Sequence, residues 1–404
     1  MNRKKLERSL AATGVLAMCA GAHAQSMVTL YGTVDAGITY TSNQQFTRAD
    51  GSVGSGHSWA LTGGNLVPSR FGLTGTEDLG GGMQAKFMLE NSFYTGSGAF
   101  IQSGAQFNRQ AWIGVAHERF GTLSLGRQYD SYSDFLGAYV SSNSWATLYG
   151  SHFGDVDNLN EAFNFNNAIK YTSPDWNGLS FGGTYSLGGV TGDFAQRRGY
   201  ALAATYAHAP FSISAGYMNL RNPLDAALGG ENGYFGDFAC SNASALYCRL
   251  QNAQALKAYG AGASYAIGPA TIALTYTHTR LEHSQYFANA ANSRGRNVAF
   301  DIGEANLAYA VTPFLQLEIA YIYNVAKVEG ESSSRFHQLN LGANYALSKR
   351  TALYGVAILQ KAAGAGLGVD PATGAPVNYA QIPNLPNSGS DRQLSVTLGI
   401  RHNF

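Results

Sequence analysis

Charge is scarce in this chain, and so are cysteine and long apolar runs. Charged residues make up 13% of the 404, about half the ~25% of an ordinary soluble protein. Yet no apolar run after residue 24 reaches the ~18 residues that a membrane-spanning helix needs. A bundle of transmembrane helices is therefore excluded. Mean hydropathy is -0.12, so uniform hydrophobicity does not replace the missing charge. A basic surplus is absent as well: 26 Lys and Arg stand against 25 Asp and Glu. That removes the electrostatic footprint of a nucleic-acid-binding protein. The histidines show no HExxH or similar ligand spacing, and no Ser/His/Asp set stands out. No metal, cofactor or enzymatic activity is called for.

What the chain has instead is Gly (49) and Tyr (24), and an N-terminus built for export. Arg3, Lys4, Lys5 and Arg8 precede an apolar core from Leu10 to Ala22, and Ala22-His23-Ala24 fits a cleavage site. Residues 1–24 are expected to be a signal peptide, and residues 25–404 the mature domain. Removal leaves 22 basic and 24 acidic residues. Of the three cysteines, Cys19 lies in the signal, and Cys240 and Cys248 remain. In an exported protein that pair points to a disulfide pinning a long loop.

Alternation with period two recurs throughout. "VTLYGTVDAGITY" puts Val28, Leu30, Val34, Ala36, Ile38 and Tyr40 on one face and Thr29, Thr33, Asp35 and Thr39 on the other. "LQLEIAYIYNV", "FHQLNLGANYAL" and "GLSFGGTYSL" repeat the pattern. Such segments are strands with one apolar face, and about ten residues suffice to cross a bilayer at a tilt. The connections alternate too. Short turns fall at residues 78–82, 119–121, 175–178, 209–210, 268–269, 312–313 and 348–350. Long polar stretches fall at residues 42–65, 129–165, 221–254, 282–297 and 362–390. Short turns on one rim and long loops on the other describe an all-β transmembrane antiparallel barrel of about sixteen strands. A soluble propeller would show a per-blade repeat, and none is present. Closure is compulsory, because an open edge in lipid strands N–H and C=O groups at several kcal/mol each. The terminal "LSVTLGIRHNF" must therefore pair with "VTLYGTVDAGI".

The segments "SMVTLYGTVDAGI", "SRFGLTGTEDLGGGMQAKFMLE", "FNRQAWIGV", "GTLSLGRQYD", "NNAIKYTSPDWNGLSFGGTYS", "GANYALSKRTALY" and "GIRHNF" resemble, in order, the general porins of Gram-negative bacteria, β-proteobacterial branch. The resemblance implies a homotrimer of barrels in the outer membrane, each a water-filled pore for passive diffusion of ions and small hydrophilic solutes. It also implies contact with outer-membrane lipid and lipopolysaccharide, and an external third loop folded into the pore. The terminal Phe404 is implied to be the signal read by the outer-membrane assembly machinery.

Parity orients the charged residues. With Phe71 and Leu73 toward lipid, Arg70 faces the lumen, and with Ile169 and Tyr171 toward lipid, so does Lys170. In "FNRQAWIGV" the resemblance makes Arg109 a lumen residue and points Trp112 outward. Arg127 sits where its strand enters the third loop. The resemblance implies that such wall bases oppose loop acids, for which the candidates are Asp130, Asp134, Asp155, Asp157 and Glu161. Some of these acids could instead lie at the rim or cap turns. Asn164 stands where the family often has a further base. "DVDNLNE" (residues 155–161) faintly resembles a Ca²⁺ loop but lacks its glycine and later bidentate Glu. Other readings are a barrel lipase, for which outward-facing Ser and His are not found, and a sugar channel, which would carry aromatics along the lumen. Adhesion through the long loops could accompany a pore.

Overall fold

The computed structural model describes residues 27–102, 104–161, 164–222, 253–284, 295–369 and 376–404. The signal segment and the Cys240–Cys248 pair lie outside these residues. Apart from a small pair, Gly368–Val369 with Pro376–Val377, the described strands form one closed, antiparallel sheet. Its strands are β1 (Met27–Thr47), β2 (Val53–Gly63), β3 (Arg70–Gly80), β4 (Met83–Ser92), β5 (Gln110–His117) and β6 (Gly121–Gln128). They continue as β7 (Phe165–Thr172), β8 (Leu179–Ser186), β9 (Gly199–His208), β10 (Phe211–Arg221), β11 (Ala255–Ile267) and β12 (Ala270–Ser284). β13 (Arg296–Ala310), β14 (Leu315–Val328), β15 (Ser334–Ala346), β16 (Thr351–Gly364) and β17 (Arg392–Asn403) complete it.

Seventeen segments make sixteen spans. β1 pairs along its upper half with β2 (Ala36↔Gly63 to Thr47↔Val53) and along its lower half with β3 (Met27↔Thr76 to Thr33↔Arg70). β2 and β3 are thus one span, interrupted where residues 64–69 leave the ladder. Asp35 holds that interruption in place. Its carboxylate accepts from the amides of Asn65 (3.0 Å) and Leu66 (3.2 Å) and from the Tyr354 hydroxyl (2.7 Å). The buried aspartate is satisfied by three donors, which is the condition for placing a charge there. The seam closes as expected, from Thr33↔Asn403 to Thr41↔Ser395.

Burial follows the alternation. Leu30, Ile38, Ile113, Leu202 and Leu398 are exposed on the outer face, whereas Thr33, Asp35, Thr39, Thr277 and Asn340 are buried on the inner one. Outward aromatics such as Tyr206 and Tyr345 sit near strand ends, where an amphipathic ring suits the headgroup layer, whereas the outward Tyr276, expected there too, lies mid-strand. Three expectations need correction. Residues 42–65 are not a long loop: β1 and β2 extend as a hairpin whose connection is residues 48–52. Polar residues on both faces look like loop, but strands projecting beyond lipid meet water on both faces. Trp112 does not point outward. It alternates with the exposed Ile113 and Val115, and its Nε1 donates to Gln110 Oε1 at 3.0 Å. Arg109 precedes β5, so the strand's parity does not extend to it. Finally, the inner face is not uniformly polar. Met218, Leu220, Leu256, Phe300, Ile302, Ile322 and Phe336 are buried inside the barrel, because something apolar covers them.

Candidate pore constriction

The cover is the segment between β6 and β7, residues 129–164. It opens with a short helix, α1 (Ser131–Leu136). Asp130 caps it, accepting from the amides of Tyr132 (2.8 Å) and Ser133 (3.0 Å) and from Asn158 Nδ2 (2.8 Å). Tyr132, Leu136, Val140, Phe153, Val156 and Leu159 then pack on the apolar inner patch of β9–β15, with Phe153 against Phe336 at a centroid distance of 4.4 Å. Glycines in the facing strands leave room for the aromatics. A Cβ at Gly260 would stand 2.9 Å from the Tyr132 hydroxyl, and one at Gly262 would stand 2.5 Å from Tyr139. The Tyr139 hydroxyl lies 2.6 Å from Ser212 Oγ and 2.9 Å from Ser214 Oγ, and its carbonyl accepts from Thr275 and Asn306.

A buried ionic latch fixes the far end of the segment. His152 Nδ1 is 2.6 Å from Asp157 Oδ2, and Nε2 is 3.0 Å from Glu304 Oε2 on β13. Thr277 Oγ1 donates to Asp157 at 2.6 Å, and the Ser141 amide donates to Glu304 at 2.7 Å. Burial by itself disfavours the imidazolium, but Asp157 and Glu304 outweigh it and its pKa is pushed up to about 10. Burial also disfavours the Asp157 carboxylate, yet the His152 charge holds it below its ordinary value.

With the segment seated on one side, an open cavity of about 840 Å³ remains against β1 and β3–β6. Charged side chains line that wall. Arg109, only 9% exposed, donates through Nε to Glu90 Oε1 (2.7 Å) and through an Nη to Glu161 (3.3 Å). Its guanidinium also lies 5.3 Å from the centre of the Tyr129 ring. Arg70 reaches the other Glu90 oxygen at 3.5 Å, to which the Tyr31 hydroxyl donates at 2.8 Å. Arg127 donates to the Asn108 carbonyl at 2.7 Å and to Asn166, and meets no carboxylate among the described residues. Lys170 pairs with Asp134 and donates to the Tyr129 carbonyl at 2.9 Å.

All four bases therefore stand on the inner wall, and three of them line the cavity. The five loop acids divide. Asp134, Asp155 and Glu161 line the cavity, with Asp155 accepting from the Asn160 amide at 2.9 Å. Asp130 and Asp157 do not face it: both are fully buried, one as a helix cap and the other in the latch. Their position corrects the candidacy of these two as pore acids, and Asp130 takes the capping role that the sequence left open. Asn164 occupies its site by donating to the Arg109 carbonyl at 2.6 Å. Glu90, Tyr31, His152 and Glu304 were not foreseen. Glu90 was within reach of parity, since Phe87 pairs with the outward Ile113 and so turns Met88 and Glu90 inward.

Comparison with known proteins agrees with this architecture. A family model described as Gram-negative porin matches residues 11–361. An outer membrane porin protein of Bordetella pertussis is 29% identical, over 99% of this chain and 100% of that protein. Outer membrane porin protein 32 of Delftia acidovorans is likewise 29% identical over 99% and 100%. Among solved structures, an anion-selective porin from Comamonas acidovorans shares the fold with a TM-score of 0.65, at 24% identity over 94% of this chain and all of that one. The outer membrane protein OmpT of Vibrio cholerae shares it at 0.62 and 14% identity, over 95% and 100%. A closed sixteen-span barrel with this match over most of its length belongs to the Gram-negative porin family, and its place is the bacterial outer membrane.

Proposed function

We propose that the chain forms a passive, water-filled channel, that its narrowest point is the gap between the 129–164 segment and the wall of β3–β6, and that this gap favours anions. The observation that carries the sign is the pairing. Glu90 and Glu161 are engaged by Arg109, Asp134 by Lys170, and Asp155 by a backbone amide. Arg127 meets no such carboxylate among the described residues, and Arg70 shares Glu90 at a longer distance. Arg70, Arg109, Arg127 and Lys170 stand against Glu90, Asp134, Asp155 and Glu161, so the charges balance in number, and the anion preference rests on Arg127, the guanidinium that no carboxylate among the described residues screens. The anion-selective porin of Comamonas acidovorans, which shares the fold, accords with this reading. Residues 1–24 serve as the export signal, and three barrels assemble through their apolar outer faces.

Planar-bilayer recording under a potassium chloride gradient tests the proposal. The wild-type reversal potential should lie on the chloride side. Arg127→Gln should move it toward potassium. Arg109→Ala should move it further, because it frees Glu90 and Glu161 together. A reversal potential unmoved by both substitutions would remove the constriction from this gap. Three equal closing steps would support a trimer.

A further inference from the structure

The cavity has a second wall that the charged one does not explain. The segment joining β16 to β17 turns into the barrel. Its Gln381 amide donates to Gln360 Oε1 (2.5 Å), its Ile382 amide to Gln393 Oε1 (3.0 Å), and Asn384 Nδ2 to the Leu148 carbonyl of the inward segment (3.0 Å). Gln393 Nε2 in turn donates to the Pro386 carbonyl at 3.0 Å. Beneath these bonds Ile382 is fully buried with Leu66, Tyr149, Tyr354, Val356 and Ile358. A polar extracellular loop has no need of such a core. The core holds a lip of partly exposed apolar groups against the water: Val67 and Pro68 from the break between β2 and β3, Leu148, Leu385 and Pro386. They line the same cavity as Arg70 and Arg127, which come from β3 and β6.

We propose that this lip and the two arginines form one amphipathic subsite for small organic anions, meaning a carboxylate joined to an apolar ring or chain. The inference rests on the channel reading above and adds a substrate class to it. A guanidinium takes the carboxylate by charge-assisted hydrogen bonds. The lip meanwhile removes part of the apolar skeleton from water. A polyol of equal size leaves its hydroxyls facing Leu385 and Pro386 without partners, and that mismatch costs it. An inorganic anion uses the arginines alone.

The test compares cyclohexanecarboxylate with quinate, which carries the same ring and carboxylate with four hydroxyls. Their permeability ratio is read from reversal potentials across bilayers holding the assembled channel. The wild type should prefer cyclohexanecarboxylate by at least about fourfold over the ratio of the two free diffusion rates, the effect of shielding one methylene from water. Leu385→Asn should bring the ratio back toward the free-diffusion value. A wild-type ratio equal to free diffusion overturns the subsite and needs no variant. So does a ratio that Leu385→Asn leaves in place. The potassium–chloride reversal potential of Arg127→Gln reports on the channel reading separately, so the lip can fail while that reading stands.

Discussion

At the residue scale, the chemistry of this pore is a matter of which charges are already engaged. The same side-chain type does different work a few residues apart. Asp130 spends its oxygens on a helix start, Asp157 on a histidine, and Asp134 on a lysine beside the water. His152 shows the consequence most clearly. Its folded pKa is raised above the ordinary 6.5 to about 10. Its stabilising contribution is therefore complete below the ordinary value and disappears as pH rises through the folded one. Between about pH 8 and about pH 11 the latch should let go, and limited proteolysis inside residues 141–155 should accelerate. His152→Gln should show that acceleration already at about pH 8 and lose the pH dependence. Removing one member of a buried ionic group typically costs about 3–5 kcal/mol, because its partners remain buried and unpaired. Equal cleavage rates for the two proteins across that range would discount the latch.

At the scale of elements, strands and inward segment are fitted to each other. β10 and β11 bring Gly216 opposite Gly260, and Gly262 opposite Ser214. Within the strands these glycines forgo side-chain packing and weaken the ladder locally. Their use lies across the lumen, where they admit Tyr132 and Tyr139. Gly262→Val should evict Tyr139, break its hydroxyl contacts with Ser212 and Ser214, and loosen the segment. Single channels of that variant should carry larger and noisier currents, while the barrel still folds. A conductance identical to wild type would show that the segment is held without that socket. Much of this was open to inspection in the sequence. Period-two patterning locates the strands, and the seven short turns all mark junctions between successive strands, though residues 78–80 still belong to β3 and Gly121 opens β6. The socket was not, because a glycine on an inward position looks the same whether it faces water or a tyrosine.

At the scale of the molecule, the closing seam decides whether there is a pore at all. The Phe404 amide donates to the Gly32 carbonyl at 3.0 Å, and the Gly32 amide donates to Phe404 O at 3.1 Å. The ring of Phe404 lies over Gly32, where any Cβ would strike it. Deleting Phe404 should therefore sharply reduce the amount of heat-resistant assembled protein in the outer membrane. Pores that do form should conduct as wild type, since Phe404 is not among the residues that line the cavity with Arg70, Arg109 and Arg127. Normal yield with altered conductance would reverse that assignment.

The sequence by itself determined the barrel. Lipid on one side and water on the other write a period of two into every span, and unsatisfied backbone groups at an edge force the ends together. It also placed Arg70 and Lys170, since each lies inside a strand whose neighbours betray the outer face. Only the tertiary structure separated Asp134 and Glu161 from Asp130 and Asp157, broke β2 from β3 over Asp35, and brought Leu385 and Pro386 to the cavity that the arginines line. Those residues lie in irregular backbone or depend on contacts hundreds of positions away. No periodicity marks which way an irregular segment faces; the hydrogen bonds and cavities it meets on folding decide it.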